Sequence, residues 1–536
     1  MPADLQSQFG VFGRPSRLYQ SFLSFGRVNT IALDRYKIAP NFSRALAQAN
    51  IDVIDKAELG AVQTAGNVIC GFTAGRQTYG AKQFIDASQS GELAAASGVA
   101  MMQGLEALGF PDSALSIGLV FDLYGVDIEQ LKRVESELIA RFFNPQDEAA
   151  QRWLTVASGN HPEKRQYLLQ SLLDYYRRPK VMYQATPDSA DVRSLAFSIL
   201  VHGYLGYEYD LKSSGFLFDR ANIAILDDRL SFNALLFYAN SATARQLSRN
   251  GAKPTEEMQE VAQKIATLFE KMGVERVEIM EELYIRNAGQ IANPIDELSA
   301  TLMAAGGIPA ETALGTFGYH LDDRGGIEGL DQQVDDSAWR LLDFGQMPIF
   351  NYGFRHTLPR EKQNLAVLSP ASGFGGLGTT AGRIVEFNVS VGEGLAIAIA
   401  QAIATNRSLQ TITESEVRQA MGYSPDVYGY RTQSFGAISS LERRFRGIDY
   451  ERNYLEQAQA YLDQLNYTEA ARTVSRALTL NPRNAHAYYL RGVIQAESGD
   501  RTQAQADFEQ AIALYQGQGD TSAASKAQGT LDTLWN

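Results

Sequence analysis

A run of glycines between residues 373 and 378 has the spacing of a phosphate-binding loop. Four of them satisfy the pattern G-x-G-x-x-G: Gly373, Gly375, Gly376 and Gly378. The apolar run at 365–368 is typical of a buried strand leading into such a loop. A dinucleotide site also needs a helix directly after the last glycine and an acidic residue about 20 positions on, and the sequence predicts neither. Two interpretations stay open, a dinucleotide fingerprint and a flexible surface loop, and the second is favoured.

A second pair of glycines, Gly392 and Gly394, precedes a helix of small apolar residues. The run 395–400 is apolar on nearly every face, which is typical of a buried helix that packs closely against a sheet or a ring system. If the helix begins at these glycines, its unpaired N–H groups point at negative charge, and Glu393 is favourable at that end. The alternative is a core helix whose glycines serve packing only.

The sequence offers few groups for metal binding or nucleophilic catalysis. The histidines and the single cysteine are His161, His202, His320, His356, His486 and Cys70. No two histidines have H-x-x-x-H spacing, and one cysteine forms neither an internal disulfide nor a multi-cysteine site, so we predict no metal site. No G-x-S-x-G or Walker sequence is present, which leaves hydrolase and kinase functions without support.

The elements that must position these residues alternate between helices and strands. A strand at 83–85 ends in Asp86-Ala87-Ser88, and a small-residue helix follows from Gly91. A strand, an acidic turn and such a helix form a second candidate ligand-binding edge. The sequence therefore predicts a mixed α/β domain with helical insertions over residues 1–422.

Residues 451–536 contain an internal repeat. Ala470 recurs as Ala504, 34 positions later, which is the spacing of the tetratricopeptide repeat (TPR). The pattern predicts an all-α domain of TPR-like repeats, with a capping helix at 521–535.

The usual role of such repeats is to bind a peptide or a protein, on a concave face to which Tyr454, Tyr461 and Tyr488 would contribute. The alternative is a packing appendage. Residues 423–450 are rich in Ser, Gly, Tyr and Arg, which is typical of a linker between two domains.

The composition of the chain limits the classes of protein to which it could belong. The chain has 536 residues, 45% of them hydrophobic and 10% aromatic, enough for a sizeable core. A net charge of −13 argues against nucleic acid or an anionic membrane as a non-specific partner. No apolar run reaches the ~20 residues of a membrane helix, and no export signal is evident. One cysteine fits a reducing compartment, so we expect a cytoplasmic protein without a membrane span.

Three segments together resemble the FAD-dependent oxidoreductases of the glutathione-reductase-like flavoprotein fold. They are FIDASQSGELAAASG (84–98), FNYGFRHTLP (350–359) and the segment around Gly392-Glu393-Gly394. TALGTFGYHLDD (312–323) and Arg286 in LYIRNAGQ also fit. The resemblance extends from about Leu18 to Met421 and implies an FAD/NAD(P)-binding-like fold.

The resemblance implies FAD as the cofactor. The positions it assigns to cofactor binding are Asp86, Ala87, Gly91, Glu92, Gly392, Glu393 and Gly394. In such proteins the flavin transfers hydride or electrons to or from a small-molecule substrate, and the protein supplies orientation and a nearby acid, base or cation.

Four side chains in family-like segments are candidates for that supporting role. His320 and His356 are able to deliver a proton near neutral pH, although a lone histidine is more often structural. Arg286 and Arg355 are able to hold an acidic substrate or stabilise reduced flavin, although ion pairs are the commoner explanation.

Members of this family begin with a strand, a glycine-rich turn, a helix and an acidic residue that hold the ADP half of FAD. No such unit precedes Leu18, so we expect either an N-terminally incomplete flavoprotein or one that has lost cofactor binding. Two functions stay open. The first is an FAD-dependent oxidoreductase with a TPR interaction module and an unknown small organic substrate; the second is a non-catalytic TPR interaction protein on a degenerate flavoprotein scaffold.

Overall fold

A computed structural model describes residues 16–28, 32–191, 194–220, 222–322 and 347–534. The strands are β1 Leu59–Ala65, β2 Val68–Ala74, β3 Gln77–Tyr79, β4 Phe84–Asp86, β5 Met101–Met102, β6 Ile117–Tyr124, β7 Tyr183–Thr186, β8 Ser189–Asp191, β9 Phe216–Phe218, β10 Asn222–Ile225, β11 Arg229–Phe237, β12 Arg276–Ile279, β13 Gln290–Ile291, β14 Leu298–Ser299, β15 Gly315–Gly318, β16 Ile349–Tyr352, β17 Leu365–Val367 and β18 Phe374–Gly375.

The helices are α1 Arg17–Phe25, α2 Arg35–Gln48, α3 Glu92–Ala96, α4 Ile128–Phe142, α5 Glu148–Ala157, α6 Pro162–Ser171, α7 Ala196–Leu205, α8 Leu211–Ser214, α9 Ser241–Arg249, α10 Glu256–Lys271, α11 Ala300–Ala304, α12 Gly378–Gly382, α13 Val385–Thr405, α14 Glu414–Ala420, α15 Phe435–Arg446, α16 Tyr450–Asp463, α17 Tyr467–Leu480, α18 Ala485–Ser498, α19 Arg501–Gly517 and α20 Thr521–Thr533. A mixed α/β region followed by paired helices confirms the predicted fold class.

The largest sheet carries the helical insertions. Its strands run in the order β12–β6–β11–β10–β8–β7, and β9 pairs with β11. Helices α4, α5, α7 and α10 bury its apolar residues in one core. At the centre of that core Phe121 stacks on Phe232, with ring centroids 5.3 Å apart.

The predicted ligand edge contains a parallel strand pair. β4 and β17 align so that Phe84 lies opposite Leu365 and Asp86 opposite Val367. The antiparallel strands β1, β2 and β3 pack beside this pair through Phe72, whose ring lies 6.2 Å from that of Phe84. Because the carboxyl ends of both strands reach the same edge, a ligand site is expected there.

Helix α13 is continuous from Val385 to Thr405, so the helix predicted to open at Gly392 and Gly394 begins two turns earlier. One face packs into the core through Phe387, Val391, Leu395, Ala398 and Ala402. By length and composition alone α13 is able to cross a membrane, but core helices of soluble proteins pass the same test, so this is weak evidence for a membrane span.

The stretch 423–450, predicted to be a linker, contains helix α15, which packs into the main core. The Glu442 carboxylate is fully buried and accepts hydrogen bonds from the backbone N–H groups of Thr301 and Leu377, both at 2.9 Å. Burial raises the pKa of Glu442 to about 7. The connection is therefore a folded part of the α/β region, because its buried acid joins the starts of α11 and α12.

The C-terminal helices pair as predicted for TPR repeats, α16 with α17 and α18 with α19, followed by α20. The first pair also packs on the α/β region. Tyr450, Tyr454, Ala477 and Leu480 belong to the same apolar core as α11 and α13. The two predicted domains thus share a core at this contact.

A buried ionic cluster reinforces that contact. The Asp296 carboxylate contacts Arg355 Nε and Arg476 Nη2, both at 3.1 Å, and Arg472. Glu469 accepts two hydrogen bonds from Arg355 Nη2, at 2.9 and 3.0 Å. Burial would raise the pKa of Asp296, but the guanidinium groups of the three arginines outweigh it and hold that pKa well below its usual range.

Candidate functional site

The carboxyl edge of β4 and β17 brings three of the predicted cofactor-binding residues together. The Asp86 carbonyl accepts a hydrogen bond from Leu368 N–H at 2.8 Å. A Cβ atom on Gly392 would lie 3.2 Å from Leu368 Cδ2, so α13 passes directly over this edge at Gly392. Asp86, Ala87 and Gly392 therefore border one surface.

Asp86 itself organises the turn that follows β4. Its carboxylate accepts hydrogen bonds from Ser88 N–H at 3.0 Å, Ser88 Oγ at 2.6 Å and Ala94 N–H at 2.9 Å. Gly91 adopts a left-handed φ of 65°, and a Cβ there would lie 2.7 Å from Met101 Cε. The N–H groups at the start of α3, including that of Glu92, are satisfied by the chain's own side chains, so this short helix offers no anion site.

Gly392, Glu393 and Gly394 lie inside α13, not at its N-terminus, which corrects the prediction that they cap a helix facing a phosphate. A Cβ on Gly394 would lie 2.5 Å from Leu314 Cδ1, so this glycine serves close packing. Glu393 accepts hydrogen bonds from Leu18 N–H at 2.9 Å and Tyr423 Oη at 2.7 Å. Its role here is to hold helix α1 against α13.

The true start of α13 already carries an acid. Glu386 in its first turn accepts a hydrogen bond from Tyr19 Oη at 3.1 Å, and burial raises its pKa. A carboxylate at a helix N-terminus takes the place that a phosphate would need. A cleft of about 210 Å³ lies beside α1, between Arg17, Glu393 and Tyr423, and is smaller than most small-molecule sites, which span about 300–1,000 Å³.

The side of α13 next to the β4–β17 edge is an exposed apolar stripe. Its members are Val385, Val389, Gly392, Ala396, Ala400 and Ile403, all exposed or half-exposed. Val385 is 57% exposed and Ile403 41%, and Ile85 on β4 is 47% exposed. In the described part of the chain no strand pairs with the other edge of β4. Parallel strands are normally buried on both faces, so this surface is suited to a further apolar layer or ring system.

A buried polar seam lies between the segment at 283–290 and the loop at 374–383. Asn287 Nδ2 donates to Thr379 Oγ1 at 3.2 Å, and Gln290 Nε2 donates to the carbonyl oxygen of Phe374. Asn287 Oδ1 and Gln290 Oε1 are buried and have no hydrogen-bond partner among the residues that the structure describes. Buried acceptors left open in this way indicate a water or ligand contact.

Arg383 completes this polar seam. Its Nη2 atom forms an ion pair with Asp322 Oδ2 at 2.8 Å, and its Nη1 atom donates to Tyr284 Oη at 3.2 Å. The buried Nε atom has no partner within the described ranges. Sequence reasoning missed this residue because its partners lie 61 and 99 positions away, so no local pattern marks it.

An open groove of about 640 Å³ runs along α9 and adjoins the seam. Arg245 and Arg249 line it together with Gln103. A Cβ on Gly289 would lie 3.3 Å from Arg245 Nη2, which places this groove next to the segment that carries Asn287. Its volume is within the range of small-molecule sites.

The four candidate catalytic residues lie in different settings. Arg355 is buried in the ionic cluster with Asp296 and Glu469, where it helps to hold the TPR helices against the α/β region. Arg286 is buried and donates to Ser116 Oγ at 3.2 Å. These contacts give both arginines structural partners.

The histidine candidates also differ in environment. The His356 ring is buried 5.7 Å from the Phe387 ring, and burial lowers its pKa to about 3. It is therefore neutral at physiological pH. His320 is half-buried beside Tyr319, with ring centroids 6.3 Å apart, and stays a predicted proton donor.

The loop at 373–378 leads into the five-residue helix α12, which begins at Gly378, so the prediction that no helix starts there is wrong. Gly376 has a left-handed φ of 53°, and a Cβ on it would collide with Glu442. The glycines thus make room for the buried acid of α15 and for β14 beside β18.

Comparison with protein-family models matches the description "FAD dependent oxidoreductase" over residues 25–421. The chain belongs to this FAD-dependent oxidoreductase family. A second model, tetratricopeptide repeat, matches residues 485–526. The search of curated proteins and the search of solved structures gave no match.

The described residues fit one end of FAD better than the other. The apolar stripe of α13 has no bulky side chain at Gly392, where a flat ring needs a close approach, and the seam holds open buried polar atoms. For the phosphates, Ser88 and Asp86 already accept from N–H groups of α3, and the first turn of α13 carries the acid Glu386, which disfavours a second negative charge there. Within the described ranges the residues therefore fit the flavin ring of FAD, whereas the ADP half finds no comparable binding groups.

Proposed function

We propose that this protein is an FAD-dependent oxidoreductase that holds the flavin ring on the exposed stripe of α13, beside the carboxyl ends of β4 and β17. Family membership carries the proposal. It is supported by the way Asp86, Ala87 and Gly392 border one surface. Bound flavin supplies hydride or electron transfer to or from the substrate.

The chain's own residues then bind and orient. Gly392 leaves the space for a close approach, and Val389 and Ala396 on either side of it exclude water from an apolar ring. In the polar seam, Asn287 Oδ1 and Gln290 Oε1 would accept hydrogen bonds from a group bound there.

The buried Arg383 Nε would donate a hydrogen bond to a group bound nearby, and the guanidinium would favour negative charge on that group. Asp322 and Tyr284 fix the plane of that guanidinium, so its free donor keeps one direction. His320 stays the proton donor of this proposal, since His356 is neutral and enclosed by aromatic rings.

The arginine-lined groove along α9 is the proposed entry for a small anionic substrate. Arg245 and Arg249 lie on one side of α9, four positions apart, and supply two positive charges in a protein of net charge −13. Replacing both with Ala is expected to raise KM for an acidic substrate while kcat changes little, because the groove binds and does not react.

The TPR module is the proposed site for a protein partner. Two of the three tyrosines predicted to contact a peptide are engaged within the protein, because Tyr454 is buried against the α/β region and Tyr461 Oη lies 3.5 Å from Arg360 Nη1. Tyr488 is half-buried, with the Arg491 guanidinium 5.3 Å from its ring. The helices from α18 onward are therefore the part left for partner binding. The cytoplasmic location stays a prediction.

Titration of the purified 536-residue chain with FAD, followed by quenching of flavin fluorescence, tests the flavin proposal. Saturable binding at one flavin per chain, with FMN binding about as well as FAD, is expected because the ring end provides the contacts. The non-catalytic interaction protein stays the second candidate, since the described residues lack a grip on the ADP half. Absence of binding by either flavin would favour that candidate.

A further inference from the structure

Two arginines in the groove along α9 carry charges that the chain itself does not balance. Arg245 and Arg249 line this groove on one side of the helix. Neither guanidinium forms an ion pair or a hydrogen bond with the residues that the structure describes. By contrast, Arg229, Arg355 and Arg383 each bind a carboxylate. Two uncompensated guanidinium groups favour an anionic ligand in the groove.

The buried polar seam begins directly beside these arginines. Gln290 pairs with Met102 in the β13–β5 ladder, and the residue after Met102, Gln103, lines the groove. A Cβ on Gly289 would lie 2.5 Å from the Met102 carbonyl oxygen and 3.3 Å from Arg245 Nη2. The segment that carries the open acceptors of the seam is therefore next to the charged wall of the groove.

The open acceptor on Gln290 is fixed by the other contact of its amide. A carbonyl oxygen only accepts, so the hydrogen bond to the Phe374 carbonyl uses the Nε2 donor of Gln290. The Oε1 atom is then left without a donor among the described residues, as is Oδ1 of Asn287, and both side chains are buried. Leaving buried acceptors open costs free energy, so a ligand that donates to them is favoured.

We propose that the substrate of this site is a polyhydroxy carboxylate, an acid whose carbon chain carries several hydroxyl groups. This inference rests on the proposed function, which makes the groove the entry for the substrate. The carboxylate pairs with Arg245 and Arg249, whose planar guanidinium groups match its two oxygens. Two hydroxyl groups further along the chain donate to Asn287 Oδ1 and Gln290 Oε1.

The charges of the seam select a hydroxyl over an ammonium as the donor. Arg383 carries a positive charge in the seam, and a like charge beside it is unfavourable. The carboxylate at that position, Asp322, is already paired with Arg383. The groups that hold the two amides, Thr379 Oγ1 and the Phe374 carbonyl, are neutral. An apolar acid is disfavoured because it leaves both acceptors unsatisfied.

Isothermal titration calorimetry of the purified full chain, with no FAD added, compares four six-carbon ligands. Gluconate carries the carboxylate and the hydroxyl groups, hexanoate only the carboxylate, sorbitol only hydroxyl groups, and 6-aminohexanoate a carboxylate and an ammonium. Gluconate is expected to bind at least about tenfold more tightly than each of the others, because it alone satisfies both the arginines and the acceptors.

Two variants separate the ends of the site, and thermal melting checks that each is folded. Arg245→Gln/Arg249→Gln should weaken gluconate and hexanoate alike, by about tenfold, and leave sorbitol unchanged. The matched control, Arg133→Gln/Arg152→Gln, removes the same charge from exposed positions on α4 and α5 and should bind gluconate as the wild-type chain does. Gln290→Met should lower the affinity for gluconate towards that for hexanoate and leave hexanoate unchanged, whereas a general disturbance of the site would weaken both.

Several results would overturn the proposal. They are equal affinities for gluconate and hexanoate, tighter binding of sorbitol or 6-aminohexanoate, and no binding at about 10 mM gluconate. Unchanged gluconate binding by the arginine variant would also overturn it, and this arm decides the matter if Gln290→Met does not fold. Because no flavin is added, a failed FAD titration would sink the proposed function and leave a gluconate site standing, and the reverse holds as well.

Discussion

Replacing Asp296 with Asn should loosen the contact between the TPR repeats and the α/β region. The Asp296 carboxylate is fully buried and contacts three guanidinium groups, those of Arg355, Arg472 and Arg476. Arg355 and Arg472 keep Glu469 as a second acid, so the substitution bears most heavily on Arg476. Asn keeps the size of the side chain and removes its charge.

The size of the effect follows from burial. Removing one partner of a buried ion pair costs about 3–5 kcal/mol, because the remaining charge stays desolvated. We take about 4 kcal/mol, which corresponds to a factor of about 10³ in the opening equilibrium of the docked helices. Global unfolding is a poor measure here, because a chain with several folded regions need not unfold in one step.

Hydrogen–deuterium exchange of the α17 amides measures that local opening directly. Asp296→Asn should speed amide exchange across residues 467–480 by up to about 10³-fold, while the amides of strands β6 and β11 stay protected. The control Asp463→Asn changes an exposed acid on α16 and should have no measurable effect. If α17 exchanges at the wild-type rate in Asp296→Asn, the buried cluster does not hold the repeats in place.

Three further predictions concern single buried positions. Gly394→Val should destabilise the fold by about 1–3 kcal/mol in urea unfolding, because its Cβ meets Leu314 at 2.5 Å; unchanged stability would refute this packing. The pKa of Glu442 is raised to about 7, so the buried side chain is tolerated while it is protonated, and the free energy of unfolding falls as the pH rises through 7. Glu442→Gln should reduce the loss of stability measured between pH 5 and pH 8. An unchanged loss of stability would contradict this reasoning. The pKa of His356 is lowered to about 3, so the buried neutral ring contributes stability above the unfolded-state pKa of about 6.5, and this stability is lost as the pH falls toward 3. His356→Phe should make the melting temperature less sensitive to acid. An equal sensitivity in the two proteins would refute this reasoning.

Sequence reasoning succeeded where the signal is local. The 34-residue period of the TPR helices is repeated in the chain itself, and α16–α20 follow it. The strand, acidic turn and helix at 84–96 were also predictable, because Asp86 caps nearby N–H groups within eight residues. Such contacts depend on neighbours that a short window contains.

Long-range packing decided the rest. Glycine costs about 1 kcal/mol inside a helix, so Gly392 and Gly394 predicted a helix start, but both lie inside α13, where Gly394 packs closely on Leu314 and Gly392 faces Leu368. Arg355 belongs to a family-like segment, yet its partner Glu469 lies 114 positions away in the repeats. The predicted linker failed for the same reason, since Glu442 is held by backbone groups that are distant in sequence.

Flavin binding by Gly392→Val tests the central proposal most directly. A branched side chain at Gly392 would cover the surface between α13 and Leu368, whereas Ala400→Val places a valine on the same stripe two turns away. The wild-type chain and Ala400→Val are expected to quench FAD fluorescence with similar affinity. Gly392→Val, with an unchanged circular dichroism spectrum, is expected not to quench it. Equal flavin binding by a folded Gly392→Val, or no binding by the wild-type chain, would contradict it.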